Sequence, residues 1–104
     1  MRKNARLNAE FGNLEEIYHL HAQNVPKAEE IYKNKYFKFT GKITHIYNNY
    51  LQIESNYISA DVYFDSDYKE KAKNLNVNDT ITYSGRVDFG MSIIVRDAII
   101  VKED

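Results

Sequence analysis

The sequence predicts a mainly β fold: a five-stranded Greek-key barrel with a helix between strands 3 and 4 and a short helical N-terminal extension. Three observations carry this reading. Hydrophobic spacing changes from a helical period to strict alternation near Tyr36. Three strand-like runs then precede a short helical pattern, and two more follow it. Finally, Phe37-x-Phe39-Thr40-Gly41-Lys42-Ile43 and Ile81-x-Tyr83-Ser84-Gly85-Arg86-Val87 share one pattern around a central glycine. A mid-strand glycine marks a sharply coiled strand or the close approach of another backbone.

The elements follow in order. Residues 1–12 show no period and include Gly12, so a loose arm is expected. Asn13 is a candidate N-cap for a helix with two Glu in its first turn and Leu14, Ile17, Tyr18 and His21 on one face. A second short helix has Pro26 in its first turn and Ala28, Ile31 and Tyr32 on one face. In the first strand Phe37, Phe39, Gly41 and Ile43 alternate with Lys38, Thr40 and Lys42. Asn48-Asn49 marks a turn between Tyr47 and Tyr50, and Leu51 and Ile53 point inward on the second strand. After a Ser55-Asn56 turn, the third strand runs from Tyr57 to Phe64. Its inward residues are Ile58, Ala60, Val62 and Phe64; Tyr57, Ser59, Asp61 and Tyr63 face outward.

Asp65-Ser66-Asp67 reads as the cap of a helix carrying Tyr68, Ala72 and Leu75. The fourth strand spans Thr80 to Val87, Asp88-Phe89-Gly90 reads as a turn, and the last strand runs from Met91 to Val101. Its alternation slips near Arg96-Asp97, which predicts a bulge. Strand, strand, strand, helix, strand, strand is the chain order of an OB-fold. The division is 1–34 for the arm and helical extension and 35–104 for the barrel.

Composition narrows function. The 104 residues contain no cysteine, which excludes disulfides, thiolate nucleophiles and thiolate metal sites. With 14 Lys/Arg against 15 Asp/Glu, the net charge of −1 argues against a strongly basic, non-specific duplex binder. Residues 1–50 hold eight basic and five acidic side chains, a balance of +3; residues 51–104 hold six and ten, a balance of −4. No secretory signal or membrane-length apolar run is present, so a cytoplasmic protein is expected. A trimmed exported domain beginning at a new Met1 would read the same way.

Four segments resemble the bacterial tRNA-anti-like OB-fold domains: Ala28 to Tyr36, Phe39-Thr40-Gly41-Lys42-Ile43, Asn74 to Thr82, and Ser84-Gly85-Arg86-Val87. Family members usually carry Gly where Asn78 precedes Asp79, a mild departure because Asn tolerates the left-handed conformation. The resemblance covers roughly residues 26–101 and implies the fold and kinship with anticodon-binding domains. Many members of the family sit in cell-envelope proteins with an apolar N-terminal anchor. The lack of that anchor here suggests a stand-alone role, such as a phage or mobile-element accessory protein.

His19 and His21, two residues apart, do not share a helical face, and His45 stands alone on its strand, so no metal or other cofactor is expected. Asp65 and Asp67 read as cap residues. No phosphate loop, nucleophile elbow or triad is visible, and a non-catalytic binding protein is expected. The aromatic content, nine Tyr and five Phe, is the informative feature. OB-folds present the outer face of strands 2 and 3 and the loops joining strands 1–2 and 4–5. Candidate nucleic-acid contacts there are Tyr47, Tyr50, Tyr57, Tyr63 and Phe89 for stacking, with Lys38, Lys42 and Arg86 for phosphates. Asp61 and Asp88 oppose that reading by charge. A Tyr-rich surface also suits a protein partner, so an interaction module or inhibitor is the alternative, as a monomer or weak homodimer.

Overall fold

A computed structural model describes residues 2–103, with Arg2, Lys3 and Asn4 described by backbone only; Met1, on which the question of a native start turns, and Asp104 lie outside the described residues. Ten elements follow in chain order: α1 (Arg2–Leu7), β1 (Glu10–Phe11), α2 (Leu14–Gln23), α3 (Val25–Tyr32), β2 (Tyr36–Ile46), β3 (Leu51–Ser55), β4 (Ile58–Phe64), α4 (Lys69–Lys73), β5 (Thr80–Phe89) and β6 (Ile93–Glu103). The strands join in the order β1-β2-β3-β4-β6-β5, and β5 returns to β2. Strands β2 to β6 thus close into the expected five-stranded barrel, with α4 between its third and fourth strands. The parallel β4–β6 pair and the antiparallel β2–β5 pair are the closures that distinguish this topology from a simple meander.

Alternation places the core. Phe39, Ile43, Leu51, Ile53, Ala60, Val62, Phe64, Ile81, Tyr83, Val87 and Val95 are buried and form one cluster. Ala72 of α4 and Leu14 and Ile17 of α2 join the same cluster, so the helical extension shares the barrel's core. Asn13 caps α2 as expected, its side chain accepting from the Glu15 and Glu16 amides, and Pro26 sits in the first turn of α3. Tyr18 and Ile31, expected on buried faces, are exposed.

The two matched glycines act as their pattern implied. A Cβ on Gly41 would stand 2.6 Å from the Glu54 carbonyl oxygen, and one on Gly85 would stand 2.7 Å from the Arg96 carbonyl oxygen. Neighbouring backbone occupies the space that a side chain would need. The bulge near Arg96 is present as well: register shifts there, and Asp97 adopts φ 52. Asn78 takes the left-handed conformation, φ 79, where the resembled family uses glycine.

Four further expectations need correction. Residues 2–11 form a helix and a strand in place of a loose arm, held by polar contacts that leave no hydrophobic period. Arg6, 6% exposed, forms an ion pair with Asp65 and donates to the Asp97 carbonyl at 2.7 Å. Beyond it, β1 pairs in parallel with β2, and the Gly12 amide donates to the Lys38 carbonyl. Tyr57 belongs to a turn, because Ser55 pairs with Ile58 and leaves Asn56-Tyr57 as a two-residue loop. Asp65 accepts from the Asp67 amide and from Arg6, and no side chain caps α4. Finally, β5 continues through Phe89, which pairs with Ile93, so the turn falls at residues 90–92.

Candidate nucleic-acid interface

The hairpin turn after β2 brings Tyr47 and Tyr50 together, its backbone closed by the Tyr47 amide donating to the Tyr50 carbonyl at 2.9 Å. Their rings stack with centroids 4.8 Å apart. Tyr63 projects outward from β4 and stacks on Tyr50 at 5.0 Å. Two residues outside the sequence-based set complete the line. His45 stacks on Tyr47 at 5.7 Å, and the Arg96 guanidinium lies 5.4 Å above the Tyr63 ring. An uninterrupted row of π groups, His45–Tyr47–Tyr50–Tyr63–Arg96, therefore crosses the outer face at the 47–50 turn.

Both additions are products of bulges. Register shifts between Ile43 and His45, so Ile43 and Ile46 both turn toward the core and His45 and Tyr47 both turn outward. Arg96 stands beside the Asp97 bulge, where its Nε donates to Asp88 at 3.1 Å. Below the turn, Lys69 and Lys73 of α4 border a narrow crevice with Tyr47 and Tyr50. Their spacing of four residues puts both ammonium groups on one helix face.

The other sequence-predicted residues lie elsewhere. Tyr57 is at the opposite end of β4 from Tyr63, six residues or roughly 20 Å of strand away. Phe89 stacks on His21 of α2 at 4.3 Å, so one face of its ring is already covered. Lys38 reaches over the Phe11 ring at 5.7 Å, and Lys42 pairs in register with Glu54. Arg86 donates to Asp97 at 3.3 Å and to the Asn34 side chain at 2.8 Å, close to the Arg96 end of the row. The structure thus unites Tyr47, Tyr50 and Tyr63, sets Arg86 nearby, and leaves Lys38, Lys42, Tyr57 and Phe89 outside.

Charge at the site is mixed. The Tyr50 phenol is held above its ordinary value by lost hydration, and then by Asp61 and the adjoining Tyr47 and Tyr63. It stays a neutral hydrogen-bond donor at physiological pH. Burial pushes the Asp88 carboxyl up, but the Phe89 amide, Arg96 and Lys33 outweigh this and leave it below the usual range. Asp61 accepts from Ser92 at 2.8 Å. Among the described residues, no cluster of three or more His, Asp or Glu is placed to hold a metal ion. No described helix is long and apolar enough to cross a membrane.

Tyr57 carries its own prediction. Asn56 and Tyr57 have φ 51 and 69, the signs a type I′ hairpin turn requires and glycine adopts without penalty. Tyr57 is 93% exposed, so its ring recovers little by packing. Tyr57→Gly is expected to stabilise the protein by about 0.5 kcal/mol, the relief of the left-handed φ less the unfolded-state entropy that glycine adds. Thermal unfolding should show this as a rise in Tm of about 2–4 °C.

No protein-family model matches the sequence, and no curated protein does. Among solved structures, the fold matches a lipoprotein from Klebsiella pneumoniae subsp. pneumoniae MGH 78578 to which nucleic-acid binding is provisionally ascribed. The TM-score is 0.72 over 89% of this chain and 91% of that one, at 16% identity. That likeness supports the closed OB-like barrel.

Proposed function

We propose that this chain is a non-catalytic OB-fold binding protein that takes single-stranded nucleic acid across the His45–Tyr47–Tyr50–Tyr63–Arg96 row. The row carries the proposal: a line of aromatic rings ends in a guanidinium, with Lys69 and Lys73 beside it. Single-strand binders combine such ring platforms with cations that follow the backbone, each stacked base contributing roughly 1–3 kcal/mol. The rings lie face to face, so bases reach the exposed end face of His45 and the ring edges, while tyrosine hydroxyls donate to phosphates or base edges. The ascription carried by the Klebsiella neighbour accords with this reading, and so does the resemblance to tRNA-anti-like domains.

A protein-binding module is the second reading, favoured by the fully exposed Met91 and by Tyr57 at its hairpin tip. Fluorescence anisotropy of labelled oligo-dT and of a labelled duplex separates the two. Micromolar or tighter binding to the single strand is expected at low salt. If about three phosphates are contacted, affinity should fall about 20-fold between 50 and 200 mM salt. No binding to the single strand at 50 mM salt would sink the nucleic-acid reading and turn the search to protein partners.

A further inference from the structure

Beyond Tyr63 the row ends at Arg96, and there the surface folds inward as a cavity of about 250 Å³. Lys69, Arg86 and Arg96 line it with Tyr63, Asn49 and one carboxylate, Asp97, among the described lining residues. The two guanidinium groups are held in place. Arg86 spends its Nε on Asp97 and one Nη on Asn34; Arg96 spends its Nε on Asp88. Each guanidinium carries five N–H donors in a planar fork, so these bonds fix the forks and leave donors to spare. Lys69 adds an exposed ammonium from the first turn of α4.

We infer that this cavity binds a terminal phosphomonoester, the phosphorylated end of the strand that lies along the row. The inference rests on the proposed function for the strand and on the cavity itself for its end. Position admits an end group: the cavity opens at the Tyr63–Arg96 end of the row, with Asn49 of the turn and Lys69 on its rim. Charge favours it. The lining balance is +2, or +1 when Asp88 is counted with its partner Arg96. A phosphomonoester carries about −1.5 to −2 at pH 7, so it gains nearly twice the attraction of a singly charged internal diester at the same place. Paired forks on a dianion are also the geometry in which Arg–phosphate bonds are strongest. Because their partners orient the guanidinium groups beforehand, little side-chain ordering remains to oppose binding.

The test compares three internally labelled dT hexamers on the full chain: 5′-phosphorylated, 3′-phosphorylated, and hydroxyl at both ends. One phosphorylated form is expected to bind about 10-fold tighter than the hydroxyl form. Lys69→Ala, an exposed change that leaves the barrel intact, should remove most of that advantage. Equal affinity of all three hexamers for the wild-type chain overturns the end pocket and leaves the single-strand reading standing. A parallel titration with inorganic phosphate and with dTMP follows the Arg86 and Arg96 Nε–H signals by NMR. Saturable shifts there, with no hexamer bound, overturn the strand as ligand together with the proposed function.

Discussion

Gly85→Ala is expected to cost the protein about 3 kcal/mol, a large part of the margin that a domain of this size holds. The added methyl would stand 2.5 Å from Val95 Cγ1, 2.7 Å from the Arg96 carbonyl oxygen and 3.2 Å from the Ala98 Cα. Two of these three atoms are backbone in β6, so relief requires separating β5 from β6 at the bulge that sets their register. Gly41→Ala meets the same obstacle against the Glu54 carbonyl, on the opposite flank of the barrel. Alanine also reduces the entropy of the unfolded chain, a gain of at most about 1 kcal/mol that the clash exceeds. Gly90→Ala is the control: its nearest obstacle is Ile94 Cδ1 at 2.8 Å, the end of a flexible side chain. It should stay within about 0.5 kcal/mol of the parent. Urea unfolding reads all three, with the midpoint displaced and the slope unchanged. A Gly85→Ala midpoint equal to the parent's would show that β6 can yield, and would remove the close-approach account of the matched glycines.

How legible this molecule is in its sequence depends on which force fixes each part. The barrel is written in alternation. Phe39 to Ile43, Leu51 to Ile53 and Ala60 to Phe64 each place one face in the core, and a strict period of two admits one register. The matched glycines are legible for the same reason, since only one residue type fits where backbones nearly touch. The first turn and strand of the chain are not legible, because Arg6 anchors them through Asp65 and the Asp97 carbonyl, partners 59 and 91 residues away. The site fails at its bulges. His45 sits on the nominal inward face of its strand until the shift after Ile43 turns it out, and Arg96 joins the row at the bulge the broken alternation marks. Tyr57 fails in reverse. Its phase fits the strand, but the Ser55–Ile58 pair makes it a turn residue. Lys69 and Lys73 carry the i, i+4 signal of a shared helix face, but what lies opposite that face is a tertiary fact.

Tyr50→Ala is expected to weaken single-strand binding about 10-fold while the barrel stays folded, through loss of its hydroxyl, its ring edge and its brace between Tyr47 and Tyr63. Tyr50 is the middle of the row: its ring stacks on Tyr47 on one side and on Tyr63 on the other, and removing it leaves both without that neighbour. The ring is half-buried on the outer face, so its loss takes surface stacking of about 1 kcal/mol per pair and leaves the core untouched. Circular dichroism should therefore be unchanged, with the change in affinity read by anisotropy. Tyr50→Phe separates ring from hydroxyl: parental affinity assigns the effect to the ring, and an intermediate loss assigns a share to the phenol as donor. Tyr63→Ala removes both the last ring and the seat of the Arg96 guanidinium, so its loss should match or exceed that of Tyr50→Ala. Tyr57→Ala provides the geometric control. At the far end of β4 it should leave affinity within about twofold of the parent, because roughly 20 Å of strand separates it from the row. If Tyr57→Ala weakened binding as much as Tyr50→Ala, the strand would have to follow the β3–β4 hairpin, and the row would be surface packing. If neither variant changed affinity, the binding surface would lie on the face carrying Lys38 and Lys42, where charge and not stacking would supply the attraction.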